Sequence, residues 1–401
     1  MAMSLPGCWL QPGFDAGRTN WNRGESALNT TTVVGLTELW DTALPDVTEI
    51  TAPLLVGDSV YASAVRTADP SGAGDRVFGL DAATGSIRWA AGVMVPGGVG
   101  YATETSAPAV HEDHLVVPYW IDGINGGGGG LVSVGFDGTV LEVPGTSPTT
   151  EVAVAGDQTA SLRWSRLGSS GTFLAWVSWI YKPVVPSGGG FGPSPGDSFA
   201  IVGDRVAWSQ GTEALGFSAA CPEHPDPFIT GCTPDWRTEL GAMPAPAAAV
   251  GSGQIVYGDA TGTVTVLDMV TGTVLWTAEV GAAVTQRAAV AGDTILVGTA
   301  DGRVVALAAA GCGAAVCDPV WQATVASGAT TAPPLVGGDV MYVTAGRDIT
   351  AFPLAGCGAP DCPSLATVSA PETITGGPVV HDGRLIAGTQ NGHVIAFGLP
   401  G

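Results

Sequence analysis

From about residue 33 to its end, the chain alternates short apolar runs with compact polar turns. Runs such as Gln254-Ile255-Val256-Tyr257, Thr294-Ile295-Leu296-Val297 and Val340-Met341-Tyr342-Val343 are rich in the β-branched and aromatic residues that fill strands. Each follows a two-residue turn, and eight such turns recur: Gly57-Asp58, Glu112-Asp113, Gly156-Asp157, Gly203-Asp204, Ser252-Gly253, Gly292-Asp293, Gly338-Asp339 and Asp382-Gly383. A second turn leads to a third strand, as in Gly302-Arg303-Val304-Val305-Ala306-Leu307 and Gly392-His393-Val394-Ile395-Ala396-Phe397. A fourth strand is expected to end at Trp89, Trp236, Trp276 or Trp321. A self-similar unit of roughly 40–50 residues marks a radial or linear repeat.

Four short antiparallel strands cannot bury both of their faces alone. Stacking the units radially buries them and leaves only short edges, so the pattern predicts an all-β, eight-bladed β-propeller of four-stranded blades. A linear solenoid would need capping repeats, and the sequence offers none. The last unit stops after its third strand, at Phe397, while Val33-Val34-Gly35-Leu36-Thr37-Glu38-Leu39-Trp40 ends in Trp as the fourth strands do. This N-terminal strand is therefore expected to complete the last blade and close the ring. Residues 1–32 then form a lead-in segment and residues 33–401 a single propeller domain. Two glycine-rich stretches, Gly126–Gly130 and Ser187–Pro195, read as rim loops.

Composition narrows the partners. The 401 residues carry a net charge of −22 and a single lysine, Lys182. So acidic a surface repels phosphate backbones and anionic lipid, which argues against nucleic acid and membrane surfaces. No run of apolar residues is long enough to span a bilayer. The opening Leu5-Pro6-Gly7-Cys8 ends as a bacterial lipoprotein cleavage site ends, which makes Cys8 a candidate for lipidation or an ordinary cysteine near the terminus.

The other six of the seven cysteines fall in close pairs, Cys221 with Cys232, Cys312 with Cys317 and Cys357 with Cys362. Each pair lies ahead of a fourth strand, where other units carry a tight Asp/Gly turn. Three disulfides closing enlarged hairpin loops are expected, and with them an oxidising compartment, extracellular or at the cell surface. Zinc would need four converging ligands, and only His224 lies near any pair.

The segments Leu80-Asp81-Ala82-Ala83-Thr84-Gly85 and Leu267-Asp268-Met269-Val270-Thr271-Gly272, each followed by a strand with a tryptophan, resemble the signature of the quinoprotein-type (PQQ-like) propeller repeat. Phe14-Asp15-Ala16-Gly17-Arg18-Thr19-Asn20-Trp21-Asn22 also resembles the lead-in of bacterial PQQ-like repeat proteins. The family holds both quinone-dependent dehydrogenases and non-enzymatic propellers, such as outer-membrane assembly lipoproteins. The dehydrogenases of that family carry two adjacent cysteines beside the quinone, and this sequence has no adjacent pair. The calcium-binding Glu and Asn and the base Asp cannot be assigned either. The resemblance thus implies a binding scaffold with no cofactor, with a quinone-dependent dehydrogenase or the sensor ectodomain of a larger receptor as alternatives.

No catalytic residue is assigned, because no Gly-x-Ser-x-Gly elbow accompanies a Ser, His and Asp set. His111-Glu112-Asp113-His114 falls on a first turn and reads as a solvated turn rather than a metal site. The inner strands are more informative. Six residues before the second residue of each first turn stand Ala52, Ala107, Glu151, Ser198, Ala247, Arg287, Pro333 and Gly377. Glu151 and Arg287 alone break this small, compact set, and the preceding position adds Asp197 and Gln286. These four are the candidate ligand contacts in the channel. The partner expected for the whole protein is a protein or glycan at the cell envelope.

Overall fold

The computed structural model describes residues 7–66, 76–93, 103–121, 128–142, 149–155, 158–167, 172–179, 182–184, 198–218, 234–242, 244, 249–251 and 253–400. Among them every regular element is a strand, apart from one 3-10 turn at Val33–Gly35. No helix there is long and apolar enough to cross a membrane.

Among the described residues the strands pair into eight sheets, antiparallel apart from Trp21–Asn22 and in sequence order apart from Trp21–Asn22 and Thr37–Ala43. Sheet 1 holds Val47–Ile50 and Leu54–Val56, then Ser59–Arg66, Arg76–Asp81 and Ile87–Gly92. Sheet 2 holds Thr103–Thr105 and Ala109–His111, then His114–Ile121, Gly128–Gly135 and Val140–Glu142. Thr149–Ala155, Gln158–Leu167, Thr172–Trp179 and Lys182–Val184 form sheet 3. Ser198–Val202, Arg205–Gln210, Glu213–Ser218 and Trp236–Glu239 form sheet 4. Sheet 5 is built from Ala249–Gly251, Gln254–Gly258, Thr263–Asp268 and Val274–Glu279, and sheet 6 from Ala289–Ala291, Thr294–Gly298, Arg303–Ala308 and Trp321–Thr324. Leu335–Gly337, Val340–Ala345, Asp348–Pro353 and Ala366–Ser369 make sheet 7, with Trp21–Asn22 added in parallel beside its first strand. Sheet 8 takes Ile374–His381, Arg384–Thr389 and His393–Gly398 from the C-terminal end and Thr37–Ala43 from the other, the last pairing antiparallel with His393–Gly398.

Two details depart from the sequence reading. The glycines from Gly128 to Gly130 are not loop: they open a strand paired with His114–Ile121, since backbone pairing needs no side chain. The fourth strands do not end at their tryptophans but run on past them, as Trp236–Glu239 and Trp321–Thr324 do.

Apolar residues on both faces of the central strands drive the sheets together. Val256, Val264 and Val266 of sheet 5 pack with Ile295, Val297 and Val305 of sheet 6 in one buried cluster. Leu296, Val304 and Ala306 on the other face of sheet 6 pack with Met341, Val343 and Phe352 of sheet 7. First strands also touch in order. That of sheet 3 contacts those of sheets 2 and 4, and so on through sheet 7 to Ile374–His381 of sheet 8, which contacts Leu54–Val56 of sheet 1.

The turn signature has a local cause. The Oδ1 of Asp81 accepts from Ala83 N, Thr84 N and Thr84 Oγ1, and the Oδ1 of Asp268 accepts from Val270 N, Thr271 N and Thr271 Oγ1 in the same way. An Asp side chain thus closes the turn that its own backbone makes. Arg88 and the Thr84 bonds together hold the Asp81 carboxyl down at about 2, and the Thr271 bonds lower that of Asp268. A carboxylate whose pKa is depressed by folding stabilises the protein above its unfolded value, and that contribution is lost as pH falls through the folded one. Melting temperature should therefore fall as pH drops from about 4 toward 2. Asp268→Ala should be less stable than the parent at pH 7, and the gap should narrow in acid. A constant gap across a thermal melt series would contradict this.

The glycine of the signature answers to the neighbouring sheet. A Cβ on Gly85, Gly272, Gly311 or Gly356 would lie 2.5, 2.4, 2.7 and 2.7 Å from the rings of Trp40, Trp236, Trp276 and Trp321, each from a neighbouring sheet. All four glycines have positive φ. Trp40 Nε1 donates to Ala82 O at 3.1 Å and Trp236 Nε1 to Met269 O at 3.1 Å, so ring and N–H both engage the next turn. Tryptophan and glycine form one joint between adjacent sheets.

In sheets 6 and 7 the turn is enlarged and the disulfides Cys312–Cys317 and Cys357–Cys362 close it. Each loop also clasps the previous sheet. Thr277 N donates to Ala315 O and Cys317 N to Thr277 O, while Gln322 N donates to Pro360 O and Cys362 N to Gln322 O. The loops thereby pair with outer strands that would otherwise be open edges. Cys221 and Cys232 lie outside the described residues.

Candidate functional site

Three of the four candidate channel residues lie at two first strands. Gln286 and Arg287 are half-buried and lead into Ala289–Ala291, the first strand of sheet 6. Glu151 lies in Thr149–Ala155, the first strand of sheet 3, opposite Leu162 in register. The side chain of Glu151 and all of Asp197 lie outside the described residues. Gly376, beside the small position Gly377, lies close to Ala52: a Cβ on it would fall 2.4 Å from Ala52 N, while one on Gly377 would meet Ala332 Cβ only at 3.8 Å.

Sequence reasoning missed the segment that occupies these inner strands. A first strand pairs with a partner on one side only, so its other edge presents unpaired N–H and C=O groups. Residues 9–22 cover those edges one sheet after another. Trp9 N donates to Leu55 O of sheet 1, and Val110 N of sheet 2 donates to Leu10 O. The Gln11 carboxamide takes both backbone groups of Val154 in sheet 3, at 2.9 and 2.8 Å. Ile201 N of sheet 4 donates to Ala16 O, Val290 N of sheet 6 to Thr19 O, and Val336 N of sheet 7 to Asn20 O. Asn22 Nδ2 closes the series on Val380 O of sheet 8, at 2.6 Å. The order along the segment is the order of the sheets. Each of these seven residues, from Leu55 to Val380, stands three places before the second residue of its sheet's first turn.

Some polar groups of the arm find their partners within it, others on the sheets. Arg18 is fully buried, its Nη1 donating to Pro12 O and its guanidinium 5.6 Å from the Phe199 ring. Thr19 N and Oγ1 donate to the Asp15 carboxylate at 3.0 and 2.7 Å, yet burial still pushes that carboxyl above its ordinary value. Glu25, also buried, accepts from Ala27 N, Leu28 N and Gly383 N, which ties the end of the arm to sheet 8. Cys8 is buried too, its Sγ 3.7 Å from His381 Nε2 and accepting from Gly57 N. Burial holds the His381 imidazole below its usual value. The one trace of the arm in the sequence was the lead-in stretch Phe14–Asn22.

The turn His111–His114 carries no convergent ligand set: His114 Nδ1 meets Asp113 Oδ1 at 3.2 Å and the two imidazoles meet edge to face. Among the described residues no group of three or more His, Cys, Asp or Glu could hold a metal ion.

A family model described as outer membrane protein assembly factor BamB matches residues 260–397. No curated protein matches the chain. Among similar solved structures, the quinohemoprotein alcohol dehydrogenase of Comamonas testosteroni superposes with a TM-score of 0.68 at 13% identity, over 99% of this chain and 81% of that one. A europium-containing methanol dehydrogenase gives 0.65 at 12% identity, over 99% of both chains. The computationally designed protein Ika8 gives 0.63 at 16% identity, over 90% of this chain and 99% of that one. At such identities the likeness is one of fold, that of a β-propeller.

Proposed function

We propose that the protein is a non-catalytic binding scaffold that works outside the cytoplasm on a protein or glycan partner at the cell envelope. Residues 33–401 are taken as one eight-bladed propeller and residues 1–32 as its lead-in, with Thr37–Ala43 completing the last blade. The contacts of successive first strands from sheet 2 to sheet 8, of Ser59–Arg66 with Thr103–Thr105, and of sheet 8 with sheet 1 support that ring. The observation that carries the functional reading is the match of residues 260–397 to a family described as an outer membrane assembly factor. The two disulfides in that same stretch accord with an oxidising compartment.

Release into the medium is favoured over a lipid anchor. A lipid on the Cys8 thiol needs that sulfur at the surface, and in the docked arm it is buried. Glu151, Asp197, Gln286 and Arg287 are the proposed contacts for a small polar ligand in the channel.

The test is affinity capture from the native envelope followed by binding of the purified partner. Saturable binding to one protein or glycan is the expected result. In parallel, pyrroloquinoline quinone and calcium are added with alcohols or sugars and a redox dye. Sustained dye reduction would overturn the scaffold reading in favour of a dehydrogenase. Arg287→Ala should abolish small-ligand capture with little change in melting temperature. A drop in melting temperature alone would make the residue channel filling.

A further inference from the structure

We propose that the turn-side mouth of the ring is a peptide-binding site, and that residues 9–22 are its tethered ligand. The inference rests on the ring arrangement proposed above, and it assigns a ligand class to one end of the channel.

Three observations lead there. The arm, a chain of turns, meets seven of the eight sheets, in sheet order and with one contact per sheet at the same register position, which is how a peptide reads a circle of open strand edges. Recognition is by backbone in most of these contacts; only Gln11 and Asn22 use side chains. Finally, Phe14, Arg18 and Asn20 hold φ of 73, 60 and 53°, a left-handed backbone that is uncommon outside glycine and gives the arm one defined shape. Bonds within the arm, such as Asn20 N to Gly13 O and Arg18 N to Asp15 O, hold that shape, and its remaining backbone groups are presented to the sheets as those of a bound peptide are.

The geometry has a consequence for the channel. The arm docks three residues along each first strand from the positions of Glu151 and Arg287, about 10 Å at the rise of a strand. The arm forms a floor at that depth, and a ligand reaches those residues from the opposite mouth.

The experiment inserts a protease site between Val34 and Gly35, both exposed, in a full-length Cys8→Ser chain. After cleavage the fragment bearing residues 1–34 should co-elute with the propeller. A fluorescent peptide of residues 7–24, with serine at position 8, should exchange into the cut chain and saturate it. The uncut chain should refuse it. Gln11→Ala in the peptide removes two hydrogen bonds and should weaken binding about tenfold or more. Amide exchange at Val110, Ile201, Val290 and Val336 should accelerate when the fragment is removed, while the second strands stay protected. Release of the fragment without rebinding, unfolding on cleavage, or equal binding to the uncut chain would each overturn the proposal. A blade count other than eight would sink the ring reading and leave the peptide result unchanged.

Discussion

Gly272→Val should be among the most damaging single substitutions in the protein, costing about 3–5 kcal/mol of unfolding free energy. Two penalties coincide at this glycine. Its φ of 69° lies in the left-handed region, which a β-branched residue enters only at a cost. Its missing Cβ also makes room for the Trp236 ring, whose Cδ2 and Cε3 would stand 2.4 Å from the added carbon. The ring cannot retreat, because Trp236 Nε1 is bonded to Met269 O and Thr238 Oγ1 to Gly272 O on the same turn. Gly241 separates the two penalties: its φ is 78°, and a Cβ there would meet nothing within 4 Å. Gly241→Val should cost only the backbone part, about 1–2 kcal/mol. Urea unfolding of both variants decides the matter. Equal losses would mean that the tryptophan joint contributes nothing.

That joint explains which parts of the fold the sequence reveals. The turn Asp268–Gly272 is closed by bonds within five residues, so its pattern survives in any copy of the repeat. Cys312 and Cys317 are five residues apart, and their pairing is equally local. The fourth strand for the last unit was legible because Trp40 repeats the tryptophan of the other units. The arm was not. Asn22 reaches Val380 across 358 positions and Gln11 reaches Val154 across 143, and most of the other contacts use main-chain groups that any residue would supply. Nothing in composition or period marks a segment whose partners are backbone. The clasp of Ala315 onto Thr277 was hidden for the same reason. The channel candidates rest on a count from the turns. That count places Glu151 and Arg287 at the first strands of sheets 3 and 6 but cannot say what their side chains meet.

Trp40→Ala should act differently from the same change elsewhere, because Trp40 joins the two ends of the chain. Removing a buried tryptophan typically costs about 3–5 kcal/mol. Trp40 is 8% exposed and loses with its ring the bond to Ala82 O and the packing against Gly85. Trp276, 3% exposed, packs on Gly311 in the same manner, but it lies within a continuous stretch of chain. A sheet made from one stretch cannot leave its neighbours without unfolding their connections. Sheet 8 can, because Thr37–Ala43 is held to His393–Gly398 by pairing and the Asp41–His393 side-chain contact, with no short chain connection between them. The Trp276→Ala variant should therefore unfold in one transition at a lower denaturant midpoint. The Trp40→Ala variant should add a sub-global opening, seen as fast amide exchange confined to residues 37–43 and 393–398. Trp40→Phe keeps most of the ring contact and loses the N–H bond, so it should cost only about 1 kcal/mol and leave exchange cooperative. If Trp40→Ala and Trp276→Ala gave the same exchange pattern, the N-terminal strand would not be what holds the ends together.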